Sequence, residues 1–204
     1  MLTMRKACWF ISILLIFSTL IVGGAAAKQL QITSPTEEAE VVEIYLTCNE
    51  SDQLTGYNVR MTWKPEIMSV TAAYEVTEWG SLDLTPDPPA VDGSLRALAI
   101  DFFETKPVSG NQTLLKLICN AKVFDGSSTD IVIDTTFDRY EISEGGIDVA
   151  NQYTTLNGKF TTPDYTKPTI TITSPADGST VSQTVNVAAT ITDAGGVNQS
   201  SIQV

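Results

Sequence analysis

Carboxylates are the side chains of this sequence that could most readily do chemistry. Asp and Glu together number 24 in 204 residues. Two pairs, Asp101 with Glu104 and Asp134 with Asp138, have spacings that put both members on similar faces. A pair of facing carboxyl groups supplies the acid and the base or nucleophile of a glycosidase. Because acidic residues are so abundant, chance explains such pairs, and we predict that the chain is not an enzyme and has no catalytic residues.

Histidine and the calcium-loop pattern are both missing, which removes most other chemistry. The sequence contains no His, so Ser-His-Asp triads, Cys-His dyads and His-based zinc or iron sites are excluded. The spaced Asp pattern of a calcium-binding loop is also absent. The nearest stretches, 83–92 and 125–130, are typical of turns. We therefore predict neither a metal nor a cofactor.

Two of the three cysteines invite a structural interpretation. Cys8 lies in an apolar stretch near the N-terminus, whereas Cys48 and Cys119 each fall on the apolar side of an alternating segment. Both should therefore point into a core. An even number of cysteines in an exported chain favours a disulfide. The alternative is two unpaired buried thiols, since free Cys packs as a small hydrophobic residue.

The N-terminal sequence and the net charge bear on the location of the protein and on the class of its partner. Residues 1–27 combine a short basic start, an apolar run over 7–22 and small residues over 23–27, which is the pattern of a secretory signal peptide. The apolar run is shorter than the roughly 20 residues of a spanning helix. A net charge of −12 disfavours nucleic acid as a partner. We predict a secreted or cell-surface protein that meets the membrane only through this signal peptide or a C-terminal anchor outside the sequence.

Export would also expose acceptor sites for N-glycosylation. Three Asn-x-Ser/Thr triplets begin at Asn49, Asn111 and Asn198, each in or beside an expected turn. A host that glycosylates secreted proteins could use them. Short polar turns also produce such triplets by chance, so both interpretations stay open.

Strand-length segments separated by turn residues fill residues 29–162. The expected strands are 30–33, 41–48, 56–63, 68–76, 95–103, 113–123, 130–137 and 154–161. Clusters of Pro, Gly, Asn and Asp lie between them, and no segment outside the signal peptide has the period of an amphipathic helix. Short strands at this spacing predict an all-β sandwich.

The composition changes after residue 162. Residues 163–168 contain two prolines and form a linker, and residues 169–204 are rich in Thr, Val, Ile, Gly and Ser. Strands are expected there at 169–173, 184–192 and 200–204, which is about half of a sandwich. We therefore divide the chain into a signal peptide (1–27), a β-sandwich domain (28–162), a linker (163–168) and a partial second domain (169–204).

The first module resembles a cohesin domain, the jelly-roll receptor module of cellulosome scaffoldins and of bacterial and archaeal surface proteins. The resemblance covers 31–161 and is best over 42–68, where a Val-rich strand, a polar turn and a Gly-aromatic strand precede an aromatic-x-Pro step. Segments 93–103, 110–123 and 157–160 follow in the family's order. The second module is similar to bacterial-type immunoglobulin-like repeats, on its opening 168–178 and on 193–197.

The resemblance implies a jelly-roll sandwich that binds a protein partner without catalysis. In the family, the helices of a dockerin lie across the sheet face that includes the strand matching 56–64. The corresponding partner-binding positions are Gly56, Asn58, Arg60, Thr62 and Lys64, which alternation places on the outer side. Several members carry Asp where this chain has Asn58. The two cationic side chains, Arg60 and Lys64, would form a basic patch suited to an acidic partner.

The resemblance also bears on the cysteines, because the family places their two strands in opposite layers. A bond between Cys48 and Cys119 would then join the two sheets.

A carbohydrate-binding or adhesin module is the alternative function, with polysaccharide as the partner. It would use exposed aromatic rings as sugar platforms. Trp63 alternates with apolar residues and belongs to the core, which leaves Tyr45 and Trp79 as dispersed candidates.

Overall fold

The computed structural model describes residues 27–35, 38–182, 184–193, 196–197 and 202. The predicted signal peptide up to residue 26, Asn198 and all but one residue of the strand expected at 200–204 lie outside these described residues. No helix among the described residues combines the length and the apolar character that crossing a bilayer requires.

Strands make up most of the described chain. In chain order they are β1 (Gln29–Ile32), β2 (Val41–Thr62), β3 (Met68–Glu75), β4 (Asp83–Thr85), β5 (Ser94–Ile100), β6 (Val108–Ala121), β7 (Ser128–Ile133), β8 (Glu141–Glu144), β9 (Ile147–Asp148), β10 (Thr154–Leu156), β11 (Gly158–Thr161), β12 (Thr169–Ser174) and β13 (Ala188–Thr192), with a 3₁₀ turn at Ala150–Gln152. The predicted all-β sandwich is confirmed. Strands β4, β8 and β9 were not expected, because they are short and lie among prolines or charged residues.

Strand β2 runs through both layers of the sandwich. Its first half pairs with β1 and β6, and its second half pairs with β5, β7 and β8. The two strands expected at 41–48 and 56–63 are therefore one long strand, which bends where Glu50 and Gln53 take φ angles of 55° and 56°. Positive φ at such residues marks a sharp local change of direction.

The layers follow from these pairings. In the first layer β10 pairs parallel with β1, followed by β2, β6 and β3. In the second layer β4 and β5 lie on one side of β2, while β8 and β7 lie on the other, and β11 pairs with β7.

Alternation along the strands fills one core between the layers. The fully buried side chains include, from both layers, Leu30, Ile44, Leu46, Tyr57, Val59, Met61, Leu95, Leu117, Ile131 and Phe160. The alternating pattern correctly placed Cys48, Trp63 and Cys119 on this inner side, because only one face of each strand is removed from water. Small residues Ala97 and Ala99 make up the inner side of β5 with Leu95, and all three are fully buried.

The predicted disulfide is wrong, and the two buried thiols are free. Cys48 and Cys119 both point into the core, as alternation predicts, but they lie on β2 and β6, which are neighbours in the same layer. Cys119 pairs with Val42, and Cys48 lies six positions farther along β2, opposite Gln112. At about 3.3 Å per residue this separation is about 20 Å, whereas a disulfide needs Cα atoms within about 7 Å.

The segment after the sandwich is a small two-stranded sheet of β12 and β13. Every residue of β12 is exposed, and Ile170 and Ile172 each retain 63% of their accessible surface. This pair of strands therefore has no core of its own among the described residues. It contacts the linker, where Thr166 donates a hydrogen bond to Asp193 at 3.1 Å.

Candidate functional site

The outward side chains of the second layer form one continuous surface, which we call the open face. Cross-strand register arranges them in rows, and a row contains residues from neighbouring strands that point the same way. The rows are Ser94, Thr62 and Val132; Thr85, Arg96, Arg60 and Asp134; Asp83, Leu98, Asn58 and Glu141; and Ile100, Gly56 and Ser143. The five positions expected to bind a partner thus lie on or directly beside one surface, with Lys64 just beyond the end of β2.

Asn58 is held by Arg96 of the neighbouring row. It is only 7% exposed, and its Oδ1 accepts a hydrogen bond from Nε of Arg96 at 2.8 Å. The other end of that guanidinium lies 3.8 Å from the carboxylate of Asp83. The neutral amide of Asn58 therefore positions Arg96 and does not project from the face.

Arg60 is also engaged by its neighbours. Its Nε donates to Oδ2 of Asp134 at 3.0 Å, and its guanidinium lies 4.6 Å from the centre of the Phe137 ring. Hydrogen bonds from Thr136 and Arg60 lower the pKa of Asp134 and keep its carboxylate charged. The expectation that Arg60 and Lys64 form a free basic patch is therefore wrong, because Arg60 is neutralised by Asp134.

The remaining predicted positions differ in exposure. Gly56 is buried, and a Cβ added there would lie 3.2 Å from the carbonyl oxygen of Ala99. Thr62 is half-buried, and Lys64 is exposed, with its backbone N–H bonded to Oγ1 of Thr129 at 2.9 Å. Of the five positions only Lys64 extends freely into solvent.

Sequence reasoning missed the apolar residues of the same surface. Leu98 and Ile100 point outward from β5 and are half-buried. Beyond them, Phe102 and Phe103 are 73% and 85% exposed, because β5 ends at Ile100 rather than at the expected residue 103. The signal that could have found them is the alternation of Leu98, Ile100 and Phe102 with alanines on the other side.

The aromatic residues considered as sugar platforms are engaged elsewhere. Trp63 lies in the core and donates from Nε1 to the carbonyl of Met68 at 3.1 Å. Trp79 is half-buried, with its Nε1 bonded to the carbonyl of Lys106 at 2.9 Å. Tyr45 is half-buried and its hydroxyl donates to Glu43. These rings lie apart from one another and form no common platform.

One member of each carboxylate pair, and the asparagine of two of the sequons, has a hydrogen-bond partner. Asp101 is 7% exposed and accepts a hydrogen bond from the Lys106 amide at 2.6 Å. On the first layer, the Asn49 side chain donates to Gln31 at 3.2 Å, and exposed Asn111 accepts from the Glu50 amide at 3.1 Å. Within the described ranges, no three metal-ligating side chains lie together.

Comparison with known proteins supports the architecture. A bacterial Ig domain family matches residues 168–204. No curated protein matches the chain in sequence. Among solved structures, the sixth cohesin of scaffoldin B from Acetivibrio cellulolyticus, in complex with a Cel5 dockerin, is 16% identical, with a TM-score of 0.56 over 67% of this chain and 99% of that one.

Two further solved structures extend this likeness. A chain of a type I cohesin-dockerin complex from Clostridium thermocellum is 7% identical, with a TM-score of 0.56 over 67% of this chain and 99% of that chain. A non-cellulosomal cohesin from the archaeon Archaeoglobus fulgidus is 14% identical, with a TM-score of 0.51 over 67% and 91% of the two chains. The chain therefore has the jelly-roll β-sandwich fold of cohesins, followed by an immunoglobulin-like segment, as the resemblance implied.

Proposed function

We propose that the sandwich is a non-catalytic docking module that binds a dockerin-like protein partner across the open face. The observation that carries the proposal is the character of this surface. Its outward residues on β4 and β5 all reach solvent, while ion pairs and hydrogen bonds fix the central arginines. A surface whose side chains are held in place before binding loses little conformational entropy when a partner docks.

The structural neighbours support the same proposal. Two of those described above were solved in complexes with dockerins. Their low identity carries over the fold and not the specificity, so the partner of this chain is to be found by experiment.

The rest of the chain fits a protein displayed outside the cell. In this proposal residues 1–27 direct export, residues 28–162 form the docking module, and residues 163–168 link it to an immunoglobulin-like segment over 169–204. That segment serves as a spacer, and no catalytic step is assigned to any part of the chain.

Binding to purified dockerin modules, measured by biolayer interferometry, tests the proposal. We expect a dockerin to bind the sandwich. The substitution Leu98→Glu should weaken its affinity at least tenfold, because it introduces a carboxylate at the centre of the open face. Ile118→Glu is the matched control, since Ile118 is also a half-buried, outward aliphatic residue but lies on β6 of the first layer.

Two results would count against docking at the open face. One is that no dockerin from the organism that encodes the chain binds. The other is that both variants weaken binding equally. Retention on polysaccharide gels that depends on Tyr45 and Trp79 would instead favour the carbohydrate-binding alternative.

A further inference from the structure

A polar cleft lies on the outer side of the first layer, across the core from the open face. It spans β1, β2 and β6, a width of about 10 Å at the usual spacing of neighbouring strands, and its volume is about 240 Å³. Side-chain amides and hydroxyls line it, and we call it the amide cleft. Its lining includes Gln31, Thr47, Asn49, Asn111, Gln112 and Thr113.

The pairing of β2 with β6 is irregular at the cleft. Leu46 pairs with Leu115, whereas the next residue, Thr47, pairs with Thr113, so Leu114 is an extra residue in β6. A bulge of this kind bends its strand and re-aims the side chains beside it, and bulges are frequent next to functional sites. The irregular pairing accounts for a recess in an otherwise regular sheet face.

Internal hydrogen bonds orient the amides of the cleft. Nδ2 of Asn49 donates to Oε1 of Gln31 at 3.2 Å, and the Glu50 amide donates to Oδ1 of Asn111 at 3.1 Å. Within the described part of the chain, the other end of each of these three side-chain amides has no hydrogen-bond partner. The cleft therefore holds donors and acceptors in fixed positions before any ligand binds, which lowers the entropic cost of binding.

The centre of the cleft contains an unpaired hydroxyl group. Oγ1 of Thr47 is buried and has no hydrogen-bond partner among the described residues. An unpaired buried polar group costs free energy. The Thr47 side chain as a whole is half-buried, so rotation about χ1 would move the oxygen out of its buried position. A ligand with hydroxyl groups of its own would then supply the missing partner.

The lining of the cleft decides the class of ligand. None of the described residues that line it is charged, so it offers no cation to a phosphate or carboxylate and no carboxylate to a metal ion or amine. None of them is aliphatic or aromatic either. Amides and hydroxyls together donate and accept hydrogen bonds, as the hydroxyl groups of a sugar do. The volume lies a little below the roughly 300–1,000 Å³ of pockets for drug-sized ligands, which suits a short sugar segment.

We propose that the amide cleft binds a neutral saccharide through hydrogen bonds to its amides and to the Thr47 hydroxyl. The site lies on the opposite side of the sandwich from the open face, so it goes beyond the docking function and leaves the docking surface free. It also differs from the carbohydrate-binding alternative above, because it uses amides in place of the rings of Tyr45 and Trp79.

Side-chain amide signals test the proposal directly, because each Asn and Gln amino group has its own signals in a proton–nitrogen correlation spectrum. The protein is the chain from residue 28 to 204, produced in a host that does not glycosylate it. The probes are cellohexaose, xylohexaose and mannohexaose, with hexagalacturonate as the charged counterpart. We expect at least one neutral probe to shift the side-chain signals of Gln31, Asn49, Asn111 and Gln112, and hexagalacturonate to shift none of them.

Thr47→Val separates binding from structure, because it removes the hydroxyl at nearly constant shape. The affinity for the neutral probe should fall about fivefold, as expected for one neutral hydrogen bond. The free energy of unfolding in urea should not fall, since this hydroxyl has no partner in the free protein. Unchanged affinity with a loss of stability would assign Thr47 a purely structural role and contradict the proposal.

Two double variants locate the sugar. Asn111→Ala with Gln112→Ala should weaken binding at least tenfold, because it removes two amides of the cleft. Asn151→Ala with Gln152→Ala is the matched control, since it changes the same Asn-Gln pair at exposed positions that do not line the cleft. The control should change the affinity less than twofold. Circular dichroism confirms that both variants fold.

Several outcomes would overturn the inference. One is that no neutral probe shifts the cleft amides. Another is that hexagalacturonate or a neutral Gly-Ser peptide shifts them equally, which would mean unspecific polar contact. Equal weakening by the two double variants would place the sugar elsewhere. Since Asn49 and Asn111 begin sequons, the intact mass of the protein from its own host is also decisive, because a glycan on either residue would fill the cleft.

Discussion

Arg60 and Arg96 lie directly opposite each other at the centre of the open face. Like charges in this position repel each other on a sheet. Asp134 and Asp83, on either side, each pair with one of the arginines. Each arginine therefore has a carboxylate partner, so the two arginines add no net positive charge to the open face.

Reversing Arg60 should destabilise the sandwich. Arg60→Glu would place a carboxylate beside Asp134 and remove the contact with Phe137, so we expect the free energy of unfolding to fall by about 1 kcal/mol. Lys64→Glu is the control, because this exposed residue should change stability by less than about 0.5 kcal/mol. Urea unfolding measures both. If the double variant Arg60→Asp with Asp134→Arg is no more stable than Arg60→Glu, the ion pair between residues 60 and 134 is not the cause of the lost stability.

The two buried thiols should be unreactive in the folded protein. Cys48 and Cys119 are both 0% exposed, and burial raises the pKa of Cys119 to about 12, which disfavours the reactive thiolate. In a protein beginning at Lys28, we expect no reaction with Ellman's reagent in buffer and two reacting thiols in denaturant without reductant. Absence of thiols in denaturant would mean that they pair after all.

At the scale of elements, the first strand is fastened to the second layer through one carboxylate. Glu144 at the end of β8 accepts hydrogen bonds from the Tyr153 hydroxyl at 2.8 Å, from the Asp52 amide at 2.9 Å and from Lys28. Burial alone would raise the pKa of Glu144, but these donors outweigh it and hold the pKa below its ordinary value of 4.5.

This lowered pKa predicts a loss of stability in acid. The unfolded chain takes up a proton at Glu144 at higher pH than the folded one, so the stabilisation is full above pH 4.5 and is lost as the pH falls through the lower folded value. We expect Glu144→Gln to be less stable at neutral pH and to lose less stability between about pH 5 and pH 3. Parallel urea titration curves for the two proteins across that range would contradict this role.

Gly93 lies directly before β5, where the backbone takes a conformation that favours glycine. Its φ is 81°, and a Cβ there would lie 2.6 Å from the carbonyl oxygen of Trp63. We expect Gly93→Ala to lower the free energy of unfolding by about 2 kcal/mol or more. Gly80→Ala is the control, since Gly80 also has a positive φ but nothing within 4 Å of its added Cβ, so only about 1 kcal/mol should be lost. Equal losses would show that the close approach has no effect.

Sequence reasoning predicted the strands in which apolar and polar residues alternate, short β1 as well as longer β5 and β6, because alternation indicates which side of a strand is buried. Strand β8 was missed although it borders the candidate site, since Glu141–Glu144 has only one fully buried side chain, Ile142. The pairing of Arg60 with Asp134 could not be predicted either. It depends on the register between β2 and β7, which joins residues 74 positions apart in sequence.

At the scale of the whole molecule, the sandwich and the terminal segment differ in how they are stabilised. Among the described residues, the hydrophobic core begins at Leu30 and ends at Phe160. Strands β12 and β13 add none, and the linker contributes Tyr165, which stacks on Phe124 with centroids 5.6 Å apart. The described structure therefore predicts that the sandwich folds without the terminal segment.

A protein comprising residues 28–167 should unfold like residues 28–204. It keeps Tyr165 and the entire core, so we expect one cooperative transition with a Tm within about 2 °C of the longer chain. Differential scanning calorimetry makes the comparison. A much lower Tm, or loss of cooperativity, would mean that the terminal segment stabilises the sandwich.

The parallel pairing of β1 with β10 has a mechanical consequence. The three paired positions join the strand that begins the sandwich to one near its end, and both strands run in the same direction. Tension applied between Lys28 and the chain beyond Thr161 would load the pairing of β11 with β7 and would also pull β1 and β10 along their length in opposite directions. The hydrogen bonds between β1 and β10 would then be loaded together in shear rather than opened one after another. A sandwich under tension between its two ends would therefore resist unfolding at its terminal strands.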